Sequence, residues 1–153
     1  MIADTSAVAK LYVPEAESAA VRTLFDGAEA VAVSELVRVE LMAAFHRRLR
    51  EGRWGRAEFQ AAVRQFQQDD LGGLWIWLPL DSAILNAAAQ TYTALPETVF
   101  LRSSDCVHLV TALHHNFPEI CTYDKHQTLA APVGDAEAIR RAAWPDDSLV
   151  VFG

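Results

Sequence analysis

The stretch AVAVSELVRVELMAAFHRRLREG, residues 30–52, decides the fold of this chain. It begins with a short apolar, β-branched run at residues 30–33, which is typical of a buried strand in a parallel sheet. Ser34 can cap the helix that follows, and Gly52 marks the end of that helix. Apolar residues between these two positions recur at helical spacing. A strand that runs directly into a capped helix is the repeating unit of an α/β protein.

The same alternation extends along the rest of the chain. Strands are also predicted at residues 2–3, 74–78 and 119–122, with a possible last strand at 149–152. Further helices are predicted at 5–11 (capped by Thr5 or Ser6), 15–25 (with acids in its first turn), 56–71, 81–92, from Ser103 or Ser104 onward, and near 126–130. Strands that alternate with helices predict an α/β layered sandwich with a mostly parallel sheet.

Length and composition exclude several classes of protein. A chain of 153 residues suits a single domain, and 52% apolar residues are too many for a disordered chain. Two cysteines cannot form a disulfide framework, so we expect a reducing, cytoplasmic setting. No targeting segment or membrane span is expected, since an acid stands at Asp4 and the apolar runs are short. The net charge of −7 argues against a protein that holds nucleic acid by charge alone.

Four carboxylates lie near the ends of predicted strands. Asp4 and Asp124 directly follow strands, Glu40 lies on the helix after the second strand, and Asp105 opens the helix before the fourth. Ligands of parallel sheets bind beyond the carboxyl ends of the strands, so these acids can converge. Clustered carboxylates repel unless a hard cation such as Mg²⁺ or Mn²⁺ joins them, and such an ion can assist phosphodiester hydrolysis. The alternative is that each acid is a solvated surface group or, for Asp4 and Asp124, a helix cap.

Four segments in this order resemble the PIN-domain ribonucleases, specifically the VapC-type toxins of bacterial toxin–antitoxin pairs. They are residues 2–6 (IADTS), 34–41 (SELVRVEL), 101–109 (LRSSDCVHL) and 122–125 (TYDK). The resemblance covers about residues 2–130 of what we expect to be a single domain, 1–153. It implies a three-layer α/β/α sandwich and a Mg²⁺-dependent endoribonuclease, with Mn²⁺ able to substitute, that leaves 5′-phosphate and 3′-hydroxyl ends. It also implies an RNA substrate, a cognate antitoxin and a homodimer.

The resemblance assigns an acidic quartet to Asp4, Glu40, Asp105 and Asp124. Asp4 and Asp105 would hold the metal most directly. Glu40 would complete the metal site or activate the water, and Asp124 would serve a second or outer position.

Other residues of the matched segments have supporting roles in the resemblance. Ser6 and Thr122 occupy hydroxyl positions that orient the acids. Cys106 departs from the family, which usually has alanine there, and beyond residue 130 the resemblance fades. His108, one helical turn after Asp105, is expected to pack or to form a hydrogen bond rather than to bind a metal.

A basic stretch at residues 38–64 contains seven arginines against three glutamates. Arginine favours bidentate contacts with phosphate, and a tryptophan can stack on an unpaired base. The residues expected to contact RNA are Arg38, Arg47, Arg48, Arg50, Arg53 and Trp54. The alternatives are an ordinary solvated helix face with i,i+4 ion pairs, or a binding patch for the antitoxin.

Two other function classes stay open. A catalytically silent interaction module could use the same fold, although all four acids argue for a metal. An aspartate-based phosphotransfer enzyme of the haloacid dehalogenase type also has an aspartate after its first strand. That family needs a second aspartate two residues later, where this chain has Ser6.

Overall fold

The computed structural model describes residues 1–15, 18–97, 99–117, 119–123 and 150–152. Within them, strands and helices follow one another as β1 (Ile2–Ala3), α1 (Thr5–Tyr12), α2 (Ser18–Asp26), β2 (Val31–Ser34), α3 (Leu36–Arg50), α4 (Arg56–Leu71), β3 (Trp75–Leu78), α5 (Ser82–Ala94), α6 (Ser103–His114), β4 (Glu119–Cys121) and β5 (Val150–Phe152). The possible last strand is confirmed as β5. Asp124 and the helix predicted near 126–130 lie outside the described residues.

The strands form one sheet in the order β3-β2-β1-β4-β5, and every neighbouring pair in it is parallel. The predicted α/β architecture is therefore confirmed. The two-residue strand β1 lies in the middle, where Ile2 is in register with Ala32 on one side and Ile120 on the other. Because ligands of parallel sheets bind beyond the carboxyl ends of the strands, the residue after β1 is delivered to the centre of that edge.

Helices cover both faces of this sheet. Side chains alternate between the faces of a strand, so Ala3 and Val33 pack with α1, α3 and α4 on one side. Ile2 and Ala32 pack on the other side, against Leu109 of α6. This is the predicted three-layer α/β/α arrangement. None of the helices that the structure describes has the length and apolar character needed to cross a membrane.

The cap of α1 differs from the predicted one. Asp4, rather than Thr5 or Ser6, precedes the helix in extended conformation, and its side chain accepts a hydrogen bond from the Ala7 amide. Thr5 and Ser6 already have helical backbone, so their hydroxyl groups are available for contacts elsewhere. One of the alternative roles of Asp4, that of a helix cap, is thus real.

Serine hydroxyls form hydrogen bonds at two other helix starts. The predicted start of α2 is wrong: the helix begins at Ser18 and has no acid in its first turn. The Ser18 hydroxyl accepts from the Glu15 amide and donates to the Val13 carbonyl. Before α3, the N-cap is Glu35 rather than the predicted Ser34 and makes no side-chain capping bond, while the Ser34 hydroxyl accepts from the Leu36 amide at 3.3 Å.

Candidate active site

A cleft of about 540 Å³ lies beside the start of α1, with lining residues from α1, α3 and the beginning of α6. Three of the four predicted acids, Asp4, Glu40 and Asp105, line it. They are far apart in the chain, and the parallel topology brings them together. The fourth predicted acid, Asp124, lies outside the described residues.

Sheet register holds the first of these acids, Asp4. Ala3 pairs with Cys121, so the residues that follow them, Asp4 and Thr122, are also neighbours. The Asp4 amide donates to the Cys121 carbonyl at 3.0 Å, and the Thr122 hydroxyl donates to Asp4 Oδ2 at 2.6 Å. A contact across 118 residues of sequence therefore follows from one parallel strand pair.

The other oxygen of Asp4 is held from within α1. Oδ1 accepts from the Ser6 hydroxyl at 2.7 Å and from the Ala7 amide at 3.0 Å. The Ser6 hydroxyl itself accepts from the Tyr123 amide at 2.6 Å. Asp4 is 3% exposed, and this burial raises its pKa, although hydrogen bonds from Thr122, Ala7 and Ser6 favour the anion. A cation at this carboxylate would offset the cost of its buried charge.

Glu40 reaches the cleft from α3 and is held by two other elements. Its Oε2 accepts a short hydrogen bond from the Thr5 hydroxyl of α1 and lies 2.7 Å from Nε2 of His108 on α6. Burial works against the charge of Glu40. Hydrogen bonds from His108 and Thr5, the charge of His108 and a hydrogen bond from Ser104 outweigh that cost and hold the pKa of Glu40 below its usual value.

Asp105 enters the cleft from the first turn of α6 and is 8% exposed. The positive end of the helix dipole favours a carboxylate at this position. His108 follows three residues later, so both side chains project from the same face of the helix. Arg102 and Ser104 flank Asp105 and also line the cleft.

Helical spacing decides which arginines of the basic stretch reach this cleft. Arg47 and Arg50 follow Glu40 by seven and ten residues, so they lie on the same face of α3 and line the cleft. Val37 and Leu41 lie on the adjacent face of the helix, which is buried. Of the residues predicted to contact RNA, Arg47 and Arg50 are thus placed beside the acids.

Arg38 and Arg53 have other contacts and do not belong to the cleft lining. The guanidinium of Arg38 lies 3.5 Å above the Trp77 ring and pairs with Asp70 at 2.9 Å. Trp77 also donates its indole N–H to Asp70. Arg53 pairs with Glu51 at 3.3 Å.

Arg48 and Trp54 likewise lie away from the cleft lining. Arg48 pairs with Glu15, a contact that ties α3 to the loop after α1. The ring of Trp54 packs on Phe45 of the core at a centroid distance of 5.5 Å. An indole packed on the core has less freedom to stack on a base.

Sequence reasoning missed several cleft residues that carry polar groups. Thr5, His46, Arg102 and Ser104 all line the cleft. Arg102 and Ser104 stand within the segment that contains Asp105, so their position beside a proposed metal ligand was the available signal. For Thr5, the signal was hidden, because its partner Glu40 is 35 residues away.

The chemistry of these side chains fits a magnesium-like ion. Asp4, Asp105 and Glu40 offer only oxygen atoms, which Mg²⁺ and Mn²⁺ prefer. Among the residues that the structure describes, no three His, Cys, Asp or Glu side chains form a complete metal site. Mg²⁺ commonly takes one or two protein carboxylates and fills its remaining positions with water and substrate phosphate, so a partial set is sufficient.

Comparisons with known proteins agree with the fold of this chain. No curated protein sequence matches the chain significantly. Two solved structures share the fold: VapC20 of Mycobacterium tuberculosis, described as a sarcin-ricin loop cleaving toxin, and FitAcB from Neisseria gonorrhoeae. VapC20 is 16% identical with a TM-score of 0.65, over 85% of this chain and 94% of that chain. FitAcB is 18% identical with a TM-score of 0.68, over 100% and 97%. The family model of the PIN domain matches residues 1–131, and this protein therefore belongs to the PIN domain family.

Proposed function

We propose that this protein is a divalent-metal-dependent endoribonuclease, the toxin of a type II toxin–antitoxin pair. It hydrolyses RNA phosphodiester bonds and leaves 5′-phosphate and 3′-hydroxyl ends. The observation that carries the proposal is the convergence of Asp4, Glu40 and Asp105 on one cleft in a PIN-domain chain. The description of the structurally similar VapC20 as a sarcin-ricin loop cleaving toxin supports RNA as the substrate class.

Asp4 and Asp105 would hold Mg²⁺ or Mn²⁺, with Glu40 and Asp124 completing the acidic quartet. When bound, the ion supplies a Lewis acid for a phosphate oxygen and a charge that offsets the carboxylates. Hydrogen bonds from Thr122 and Ser6 keep the two oxygens of Asp4 in place. This support is the kind that orients metal-binding carboxylates in general.

Arginines beside the acids would bind the RNA backbone. Arg47 and Arg50 on α3 and Arg102 ahead of α6 come from two different elements, and all three line the cleft. Guanidinium groups make bidentate contacts with phosphate. The net charge of −7 is therefore compatible with RNA binding, since several acids would face a metal ion while the arginines face phosphate.

The proposal is tested with purified protein, a mixed RNA substrate and either Mg²⁺ or Mn²⁺. We expect cleavage with either ion, no cleavage in EDTA, and loss of activity in Asp4→Asn and Asp105→Asn. Asp26→Asn is the matched control, because Asp26 is an exposed acid at the end of α2 and does not belong to the cleft lining. Ligation that requires a 5′-phosphate reports the new ends. Unchanged cleavage by both Asp4→Asn and Asp105→Asn contradicts the proposal.

One observation favours a second candidate, a catalytically silent interaction module. The described residues contain no complete group of three metal-binding side chains. Calorimetric titration of the partner-free protein with Mn²⁺ separates the two candidates. Binding that is lost in Asp4→Asn supports the nuclease, whereas absence of binding supports the silent module.

The proposal includes a cytoplasmic location, a cognate antitoxin and a homodimer. Large apolar side chains are exposed on the described surface and would be covered by such partners: Val39, Leu71, Ile76, Leu85, Tyr92 and Phe100. Light scattering of the purified chain reports the dimer, and a mass equal to one chain contradicts it.

A further inference from the structure

His108 is a buried polar residue that the proposed chemistry does not yet use. It is 2% exposed within α6, between the buried residues Val107 and Leu109. Its Nε2 lies 2.7 Å from Glu40 Oε2 and 3.3 Å from the Thr5 hydroxyl. Its Nδ1 has no hydrogen-bond partner among the described residues.

These contacts determine which ring nitrogen carries the proton. An ionised Glu40 carboxylate can only accept, and the Thr5 hydroxyl already donates to the same oxygen. Nε2 must therefore be protonated and donate to Oε2. A nitrogen that donates a proton has no lone pair for a metal, so His108 does not bind an ion through Nε2.

The side chain of Glu40 needs such a contact more than the other two acids do. Asp4 is short and buried against the sheet edge, and Asp105 is short and held in the first turn of α6. Glu40 has a longer side chain, and it is 27% exposed. Its two hydrogen bonds at Oε2 come from α1 and α6, so they define where the carboxylate stands relative to both of the other acids.

We propose that His108 is a positioning residue, whose Nε2–H holds the Glu40 carboxylate in the orientation that metal binding and RNA cleavage require. The proposal rests on the proposed nuclease function of this cleft. His108 suits the role because its own ring is fixed in the core, so its donor has one position. Removal of a group that orients a metal-site carboxylate typically costs about 10–100-fold in activity or metal affinity.

Three substitutions separate positioning from packing. His108→Leu places an apolar side chain of similar size in the core and removes the Nε2–H donor. His108→Gln places an amide N–H at about the reach of Nε2, whereas the shorter His108→Asn does not reach it. Cys106→Ala is the matched control, because it alters the packing of the same helix without a contact to Glu40.

The variants are compared by kcat and KM for RNA cleavage with Mn²⁺, by Mn²⁺ affinity in calorimetry and by thermal unfolding. We expect kcat to fall by about 10–100-fold in His108→Leu and His108→Asn, with weaker Mn²⁺ binding. KM for RNA should change little, because the cleft arginines stay in place. His108→Gln should recover most of kcat, and Cys106→Ala should match the wild type. Equal kcat in His108→Leu and wild type overturns the proposal, as does a His108→Gln variant no better than His108→Asn.

Nuclear magnetic resonance of the ¹⁵N-labelled ring gives a readout that does not depend on activity. We expect the His108 proton on Nε2 in the wild type, with faster exchange of that proton in Glu40→Ala. A neutral ring protonated on Nδ1 overturns the proposal. If the wild-type protein cleaves no RNA, the proposed function fails, and the ring tautomer together with Mn²⁺ affinity still decides the role of His108.

Discussion

Thr122→Val tests the support of Asp4 most directly. The substitution keeps the shape of a fully buried side chain and replaces its hydroxyl with a methyl group. Asp4 Oδ2 then loses the donor that lies 2.6 Å away. Oδ1 keeps its hydrogen bonds from Ser6 and Ala7, so the carboxylate is left supported on one side only.

The expected cost follows from the burial of Asp4. A hydrogen bond to a charged group contributes about 1.5–3 kcal/mol, and at 3% exposure little water can replace the lost donor. We therefore expect the free energy of unfolding to fall by about 2 kcal/mol in metal-free buffer. For a domain of this length, that corresponds to a Tm lower by about 4–8 °C.

The loss should depend on pH in a defined direction. The pKa of Asp4 is raised above 3.8 in the folded protein, so its ionisation opposes folding, and stability falls as pH rises through the raised pKa. Removal of the Thr122 donor raises that pKa further. The difference between Thr122→Val and wild type is thus largest above the raised pKa of Asp4, and it shrinks as pH falls through that pKa and Asp4 takes up a proton.

Urea unfolding in EDTA at several pH values measures this difference. Thr122→Ser is the matched control, since it keeps the hydroxyl and loses one buried methyl group, at a cost of about 1 kcal/mol without this pH dependence. A Thr122→Val variant as stable as wild type at neutral pH refutes the reasoning. So does a loss that stays constant across the pH range.

The remaining predictions concern groups around the cleft and in the core. In anisotropy titrations, Arg50→Ala should weaken RNA binding and lower the dependence of log K on log salt concentration by about 1. Arg53→Ala, whose residue lies outside the cleft lining, should change neither quantity. Equal effects of the two substitutions contradict the placement of Arg50 at the RNA. Asp70 is partly buried, but hydrogen bonds from the Trp77 indole and the Arg38 guanidinium hold its pKa below 3.8. The charge of Asp70 therefore stabilises the fold above that pH, so Asp70→Asn should be less stable than wild type at pH 7. In urea unfolding, the free energies of unfolding of the variant and the wild type should converge as pH falls through the lowered pKa. Cys106 and Cys121 should resist iodoacetamide near pH 8, because burial raises both thiol pKa values, that of Cys121 to about 11; rapid labelling in mass spectra of the native protein would contradict this.

Patterns along the sequence were sufficient for the layout of the domain and for the three acids that line its cleft. The alternation of β-branched runs with helical periodicity predicts the order of the elements, because both signals are local. Asp4, Glu40 and Asp105 could be selected because each has a fixed relation to a strand or helix end. The four matched segments indicated the PIN family, and the family model over residues 1–131 confirms it.

The family resemblance named Ser6 and Thr122 as hydroxyl groups that orient the acids, but only the tertiary structure decided which acid each one holds. It also added Thr5 and His108 as partners of Glu40. The hydrogen bond from Thr122 to Asp4 joins residues 118 positions apart, and that from His108 to Glu40 joins residues 68 apart. Such contacts depend on sheet register and on the packing of α1, α3 and α6, which local periodicity does not encode.

The arginines of the basic stretch show how far sequence patterns alone can predict the cleft. The sequence marks five of them as RNA contacts, and only their rotation about α3 relative to Glu40 brings Arg47 and Arg50 to the cleft. The spacing of residues along one helix can be read from the sequence. Which face of the helix meets the cleft depends on the elements against which its buried face packs. The sequence by itself therefore determined the fold and the family, while the tertiary structure decided which side chains meet in the cleft, because contacts between distant segments form only once the sheet and its helices pack.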